Sequence, residues 1–258
     1  PRQNRIKGYT AHFFCSDHVD PEAPFAHRLT SIATEEVVNF VKLPIVIPKK
    51  DYPPGRMSKD VVINTAEEYF IARGYKHVRM LGEGGFGKVE LVEKRVLICN
   101  GKSRTVKRYQ MACKVMDIPL DENTENDMRE LVAELYVMRS LSGKCSFVIK
   151  YYEHYVLSYT TSENQPMLSA HIFMELADGG TLLDEIVANK TPMPRQQARR
   201  YFAEIVEGLE FMHRHGIAHN DFKPNNVLMV SQGGTKHCKL SDFGMSRFGY
   251  KRGVGLVL

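Results

Sequence analysis

The sequence predicts an α+β fold in two lobes, in which a five-stranded antiparallel sheet with one inserted helix is followed by an incomplete helical lobe. Two observations predict it. Strand-like runs rich in β-branched and aromatic residues follow one another between residues 76 and 176, and one helical segment interrupts them. Beyond Gly179-Gly180 the apolar residues recur at helical spacing instead. We therefore expect a first lobe over residues 76–176 and a partial second lobe over residues 177–258.

The five strands and their helix can be placed from local patterns. The predicted strands are residues 77–81, 88–98, 104–118, 148–159 and 167–176. Asn100-Gly101 between the second and third strands is a strong hairpin signal. The inserted helix is predicted over residues 124–141. In the second lobe, helices are predicted over residues 182–189 and 195–213, and Gly216 is placed to end the latter.

Residues 1–75 are predicted to be an N-terminal extension, because prolines interrupt them and few periodicities are sustained. Apolar residues near helical spacing predict a short helix over residues 31–42, with Thr34 as its cap. The chain begins with Pro1 and no signal-like apolar run opens it, which is typical of an excerpt from a longer sequence.

Composition excludes several classes of protein. The chain has 258 residues, 43% hydrophobic and 25% charged, which is enough for two lobes with a sizeable core. A formal charge of +5 is too mild and too dispersed to indicate nucleic acid binding. No run of 18 apolar residues occurs, so no membrane span is predicted. Five cysteines without a CxxC pair indicate a reduced intracellular chain, cytoplasmic or nuclear.

The segment from Leu81 to Val89 has the pattern G-x-G-x-x-G, with glycines at 82, 84 and 87. Glycines let a backbone approach phosphates closely, but this spacing alone is weak, because dinucleotide-binding turns share it. Such a turn opens a helix, with phosphate at its N-terminus. The residues after Gly87 read as a strand, which favours a strand–turn–strand flap over phosphates.

Lys114 lies in an apolar strand, where an unpaired lysine would be costly. One interpretation is an edge lysine that reaches water. The other depends on Glu134, which falls within the apolar stripe of the predicted helix and so needs a cation. Glu130, one turn earlier, is the competing acid, although it fits the stripe less well. Pairing with Glu134 would hold the Lys114 ammonium toward nucleotide phosphates.

Four polar residues follow the helix that ends near His213, namely Asp221, Lys223, Asn226 and Asp242. A loop aspartate at 221 can accept a proton from a substrate hydroxyl, and Lys223 can neutralise charge on a transferring group. Asn226 and Asp242 offer the hard oxygen ligands that Mg²⁺ prefers. Each residue singly is common in turns. All four at these offsets indicate phosphoryl transfer.

These motifs resemble a eukaryotic protein kinase of the serine/threonine type, over residues 76–258 and in the family's order. The resemblance implies a protein substrate with a Ser/Thr acceptor, ATP and Mg²⁺. It implies Asp221, Lys223, Lys114 and Glu134 as catalytic residues and Asn226 and Asp242 as metal ligands. It implies a nucleotide site formed by Leu81, Gly82, Gly84, Gly87, Val89, Ala112, Lys114, Met174, Glu175, Ala177 and Leu228. Lys223 in particular is similar to the serine/threonine branch.

The sequence departs from the family at three places. Asn220 replaces the usual arginine, which argues against control by phosphorylation of the activation segment. Thr181 stands where some relatives carry a ribose-binding acid. The A-P-E motif and the helices after it are not in the sequence, so we expect an apolar helix face without a partner. That face consists of Phe202, Ile205, Val206 and Leu209.

Three hypotheses follow from these patterns. The first is a serine/threonine kinase that transfers the γ-phosphate of ATP. The second is a truncated, inactive nucleotide-binding or protein-interaction module, suggested by the apolar end of the sequence, Gly253 to Leu258. The third, a dinucleotide-dependent enzyme, is disfavoured by the strand after Gly87.

Overall fold

The computed structural model describes residues 40–47, 61–84, 87–100, 103–121, 124–188 and 192–248. The chain divides into two compact units. One comprises the described residues up to Thr124 together with His154–His171, and the other comprises Glu125–Glu153 with the described residues from Ile172 onward. Within the described ranges, no helix is both long and apolar enough to cross a membrane.

A six-stranded sheet lies mainly in the first unit. Its strands are β1 (Phe40–Lys42), β4 (Tyr75–Gly84), β5 (Gly87–Asn100), β6 (Ser103–Pro119), β7 (Tyr151–Thr160) and β8 (Pro166–Met174). Their order across the sheet is β1-β7-β8-β6-β5-β4. The five predicted strands are all present, and the β4–β5 and β5–β6 pairs are antiparallel as expected.

Strand β1 is a sixth strand that the sequence did not predict. Phe40, Val41 and Lys42 pair in parallel with Val156–Ser158 of β7. The helix predicted over residues 31–42 is therefore wrong at residues 40–42, and its first nine residues lie outside the described residues. The physical reason is that the open edge of β7 satisfies the backbone groups of β1, and sequence periodicity carries no information about so distant a partner.

Three further elements belong to the extension, namely β2 (Ile45–Ile47), β3 (Val61–Ile63) and helix α1 (Ala66–Ala72). β2 and β3 form an antiparallel pair. Helix α1 starts with a capping box, in which the Thr65 hydroxyl accepts from the Glu68 N–H and the Glu68 carboxylate accepts from the Thr65 N–H. Such caps satisfy N-terminal amides that have no partner inside the helix.

The second unit contains helices α2 (Thr124–Leu141, from its second residue), α3 (Leu182–Val187) and α4 (Arg195–Arg214). The three correspond to the predicted helices. Gly216, with φ of +71°, follows the α4 cap His215 and confirms the predicted helix end. Sequence reasoning missed two small sheets here, β10 (Val227–Gln232) with β11 (Thr235–Leu240), and β9 (Ile217–Ala218) with β12 (Arg247–Phe248).

Helix α4 is anchored to strand β11 by one buried acid. Glu204 accepts hydrogen bonds from the Cys238 N–H at 2.7 Å and pairs with His237 Nδ1 at 2.9 Å. Close approach is possible because position 208 is glycine, where a Cβ would lie 3.0 Å from Leu240 Cδ1 of β11. Helix α4 thereby fixes the hairpin that follows the loop at residues 219–226.

The apolar residues predicted to form an uncovered face of α4 differ in exposure among the described residues. Phe202 is 69% exposed and Val206 is also exposed, whereas Leu209 is half-buried. The expectation was wrong for Ile205, which is buried. Ile205 lies four residues after Tyr201 and three before Gly208, both buried, so it shares their side of the helix.

Candidate functional site

The glycine-rich segment forms the two expected strands on either side of residues 85–86, which lie outside the described residues. Strand β4 ends at Gly84 and β5 begins at Gly87, and these two residues are register partners. No helix follows Gly87, so the dinucleotide-binding alternative is disfavoured by the structure as well. We call β4 and β5, with Gly82, Gly84 and Gly87, the glycine flap.

Two of these glycines have different surroundings. Gly87 has φ of +111°, and a Cβ there would lie 2.2 Å from the Val115 oxygen. Only glycine fits, because both the dihedral angle and the space exclude a side chain. At Gly82 a Cβ would meet nothing within 4 Å. Gly87 is therefore required by the packing of β5 on β6, whereas Gly82 leaves open space at the flap.

The β5–β6 register places three predicted nucleotide-site residues on one sheet face. Val89 is the partner of Lys114, and Leu91 is the partner of Ala112. Because residues alternate between faces along a strand, Val89, Ala112 and Lys114 share a face. Lys114 is only 8% exposed, which argues against an edge lysine that reaches water. Leu81 lies at an irregularity of the β4–β5 register and is half-buried.

Glu134 lies within a fully buried stretch of α2. It is 2% exposed, and the predicted stripe residues Leu131, Met138 and Leu141 are buried with it. Glu130, the competing acid, is only half-buried. A carboxylate so enclosed needs a cation or hydrogen-bond donors. Lys114 and Glu134 belong to different units, and their ion pair stays a prediction.

Asp221 is held by two side chains of its own loop, residues 219–226, which we call the polar loop. Lys223 Nζ donates to Asp221 Oδ2 at 2.7 Å, and Asn226 Nδ2 donates to the same oxygen at 2.8 Å. Asn226 Nδ2 also donates to the Asp221 backbone oxygen at 2.9 Å. Both side-chain bonds thus converge on Oδ2 and fix the orientation of the carboxylate.

The same contacts keep Asp221 ionised. The Lys223 ammonium is the main cause of a pKa for the Asp221 carboxyl below its ordinary value, and the Asn226 amide lowers the pKa further. A carboxylate with a lowered pKa is a weak base at neutral pH. Asp221 is therefore better suited to orienting a hydroxyl than to removing its proton before bond formation.

Asn226 and Asp242 are brought to one end of the β10–β11 hairpin. Val227 and Leu240 are register partners, and the Ser241 N–H and hydroxyl donate to the Asn226 backbone oxygen at 3.0 and 3.1 Å. Since Asn226 Nδ2 is committed to Asp221, the amide oxygen Oδ1 is the atom that can bind a cation. With the Asp242 carboxylate this donor set consists of hard oxygens and fits Mg²⁺.

His219 and Asn220, at the start of the polar loop, contact residues on either side of Asp242. His219 is buried, its Nε2 lies 3.1 Å from the Ser241 oxygen, and burial lowers its pKa. The ring is therefore neutral at pH 7, and its Nε2–H can donate to Ser241. Asn220 has φ of +60°, a conformation that asparagine tolerates better than most residues, and it donates to the Met245 oxygen at 3.4 Å.

The segment after β8 contains an ion pair that the sequence did not predict. Glu175 Oε1 pairs with Lys239 Nζ at 2.8 Å and accepts from the Lys150 N–H at 2.7 Å. Lys239 is buried, and the Glu175 N–H donates to the Lys150 oxygen at 2.9 Å. The side chain and N–H of Glu175 therefore hold the chain in place. Of the two residues predicted to bond the base, Glu175 thus offers its carbonyl and Ala177 its backbone.

Two other predicted site residues of this unit are Met174 and Leu228. Met174, the last residue of β8, is buried, and Leu228 of β10 is bridged to Thr181. Thr181 caps α3, where its hydroxyl donates to Asp184 Oδ2 at 2.7 Å. That hydroxyl is thus engaged within the protein.

Comparison with known proteins agrees with this arrangement. Residues 75–254 match the family model of the protein kinase domain. The chain belongs to the protein kinase family. Members of this family use ATP and Mg²⁺ to phosphorylate proteins, and the side-chain oxygens of Asn226 and Asp242 are of the kind that this chemistry requires.

Curated relatives in this family carry serine/threonine names. The chain is 31% identical over 173 residues to the serine/threonine-protein kinase grp of Drosophila melanogaster, which covers 67% of this chain and 28% of that protein. It is 34% identical over 173 residues to the serine/threonine-protein kinase chk-1 of Caenorhabditis briggsae, covering 67% of this chain and 30% of that protein. The chain spans about a third or less of the length of these relatives.

Proposed function

We propose that the protein is a serine/threonine protein kinase, which transfers the γ-phosphoryl group of ATP to a hydroxyl of a protein substrate. The geometry of Asp221 is the observation that carries this proposal. Lys223 and Asn226 both bind Oδ2, so Oδ1 is the oxygen that can receive a substrate hydroxyl. The serine/threonine names of the relatives support the same choice of acceptor.

The reaction forms a bond from the substrate oxygen to the γ-phosphorus and breaks the bond to the bridging oxygen of ADP. In the proposed mechanism, Asp221 orients the hydroxyl and takes its proton as the new bond forms. Lys223 neutralises charge on the transferring group, because its ammonium lies beside Asp221. Asn226 and Asp242 would hold Mg²⁺, which when bound neutralises phosphate charge.

The glycine flap and Lys114 complete the proposed site. Gly82, Gly84 and Gly87 would let the backbone approach the phosphates, and Lys114, paired with Glu134, would bind the α and β phosphates. Leu81, Val89, Ala112 and Leu228 would surround the adenine, with Met174 at the back of that pocket. The backbone of Glu175 and Ala177 would bond the base.

The organisation and setting of the enzyme are part of the same proposal. We infer an extension over residues 1–75, a nucleotide-binding lobe over residues 76–176 and a substrate lobe from residue 177. An intracellular location follows from the need for ATP and from the free thiols of the described cysteines 113, 145 and 238. We expect protein substrates and no nucleic acid partner.

A transfer assay tests the proposal. The purified protein is incubated with Mg²⁺ and γ-labelled ATP, with serine, threonine and tyrosine versions of one peptide library and a basic protein as acceptors. We expect label on serine and threonine only, and a loss of about 10³-fold or more in kcat for Asp221→Asn. Glu163→Gln, at an exposed turn of the first unit, is the matched control. A wild-type rate for Asp221→Asn would overturn the proposed role of this residue.

A further inference from the structure

The sheet face opposite Lys114 carries buried polar side chains. Glu90 and Cys113 are register partners in β5 and β6, and both are buried. Because they alternate with Val89 and Lys114, they lie on the other face of the sheet. A carboxylate buried on this face requires nearby cations or hydrogen-bond donors.

Helix α1 of the extension covers this face. Phe70, 1% exposed, stacks on His77 of β4 with ring centroids 4.0 Å apart, and it lies 6.2 Å from the ring of His171 in β8. Tyr69 meets Tyr155 of β7 edge-on at 5.0 Å. A seven-residue helix thus contacts three strands, one of which is the first strand of the glycine flap.

A series of polar contacts, from Glu67 through His77 and Glu90 to Lys88, ties α1 to both strands of the flap. His77 Nε2 lies 2.9 Å from Glu67 of α1, and His77 Nδ1 pairs with Glu90 of β5. Lys88 Nζ lies 3.0 Å from Glu90 Oε1, one residue after Gly87. Burial alone would raise the pKa of Glu90, but Lys88 and His77 outweigh it and the pKa is lowered. Glu90 is therefore ionised, and its carboxylate links His77 of β4 to Lys88 of β5.

A second set of contacts leads from Phe70 toward Lys114. The His171 ring stacks on Tyr155 at 4.7 Å, and its Nδ1 lies 3.9 Å from Cys113 Sγ, directly before Lys114 in β6. His171 Nε2 lies 3.2 Å from the Ser169 hydroxyl, which donates to Asp117. Packing under α1 therefore continues to the residue adjoining Lys114.

We propose that helix α1 is a positioning element for phosphate binding, with Phe70 as its anchor and the chain Glu67–His77–Glu90–Lys88 as its tie to the glycine flap. The inference rests on the proposed function. β4 is the edge strand of the described sheet, and its glycines add freedom at the tip. Contacts of α1 limit the motion of this edge before ATP binds, so less ordering remains to be done on binding.

Two α1 variants and one control on the same helix test the proposal. Phe70→Ala removes the anchor, and Glu67→Gln weakens the tie by removing the negative charge beside His77, at an exposed position and without loss of packing. Ile71→Ala, at a side chain 59% exposed, is the matched control. We expect the KM for ATP to rise about tenfold in Phe70→Ala and about twofold to threefold in Glu67→Gln, with a smaller change in kcat. Ile71→Ala should match the wild type.

Hydrogen exchange gives a readout that does not require activity. We expect faster amide exchange over Tyr75–Gly84 and Gly87–Asn100 in Phe70→Ala than in Ile71→Ala, at a temperature where both are folded. Unchanged exchange and unchanged KM in both Phe70→Ala and Glu67→Gln would overturn the role of α1. A wild-type protein that fails to bind Mg-ATP in calorimetry would overturn the proposed function, and the exchange comparison would still decide whether α1 restrains the glycine flap.

Discussion

The glycine flap of the first unit and the polar loop of the second are proposed to act on the same phosphates, but they are held in different ways. In the polar loop, Lys223 and Asn226 bind Asp221 directly, within a span of six residues. In the flap, backbone pairing and the absence of side chains at Gly82 and Gly87 define the shape. The charged contacts of the flap lie on the sheet face opposite Lys114.

This difference determines which substitutions each region tolerates. The polar loop depends on particular side-chain atoms, so the loss of one amide or ammonium disturbs it. The flap depends on backbone space, so the addition of one carbon at the wrong position disturbs it. Three measurements test whether the polar loop and the glycine flap differ in this way.

The largest effect is expected at Asn226. Asn226→Ala removes both hydrogen bonds that Asn226 Nδ2 donates to Asp221, and it removes the proposed Mg²⁺ ligand Oδ1. We expect kcat to fall by about 10³-fold and the Mg²⁺ concentration for half-maximal rate to rise. Gln232→Ala, exposed at the other end of the same hairpin, is the control. A drop in kcat of less than tenfold would mean that Asp221 is oriented by Lys223 alone.

Two alanines in the flap should behave differently from each other. Gly87→Ala places a methyl group 2.2 Å from the Val115 oxygen at φ of +111°. We expect it to lower the free energy of unfolding by roughly 3 kcal/mol or more and to raise the KM for ATP. Gly82→Ala meets nothing within 4 Å, so its unfolding free energy should change by less than about 1 kcal/mol. Urea unfolding measures both, and equal effects would contradict the packing role of Gly87.

The smallest of the three effects depends on pH. Burial lowers the pKa of His171 from 6.5 to about 4. Below pH 6.5 the unfolded chain binds a proton at His171 that the folded chain excludes, which favours unfolding. The contribution of His171 to the free energy of unfolding is therefore fully present above pH 6.5 and is lost as pH falls toward 4. We expect a loss of about 2–3 kcal/mol from this group. In urea titrations at pH 7, 5 and 4, His171→Gln should show a shallower decline than the wild type. An identical decline in both would show that His171 does not cause it.

The long elements could be predicted from the sequence, whereas most of the short ones, with the exception of α3, could not. Helix α4 and the five principal strands have local patterns that agree with their packing. Strand β1 has three residues, and its partner Val156–Ser158 lies more than a hundred residues away, so no local pattern indicates it. Helix α1 did have a signal, because Thr65 to Glu68 reads as a capping box. Its seven residues were too few for periodicity to stand out.

The same limit applies to the site. Residue types and order sufficed to propose Asp221, Lys223, Asn226 and Asp242 as one group. The convergence of two donors on Asp221 Oδ2 depends on loop geometry, which spacing does not specify. The Glu175–Lys239 pair and the His77–Glu90 pair depend on strand register and on neighbours distant in sequence.

The β10–β11 hairpin has a consequence for the order of folding. Its turn is Gly233-Gly234, with φ of +57° and +78°, which suits a tight hairpin between antiparallel strands. Short hairpins close in about 1–10 μs, because little chain entropy is lost in joining their ends. We expect Asn226 and Asp242 to meet at this early stage, long before strand β1 can find β7. The proposed metal ligands would then be among the first distant residues of the chain to become neighbours.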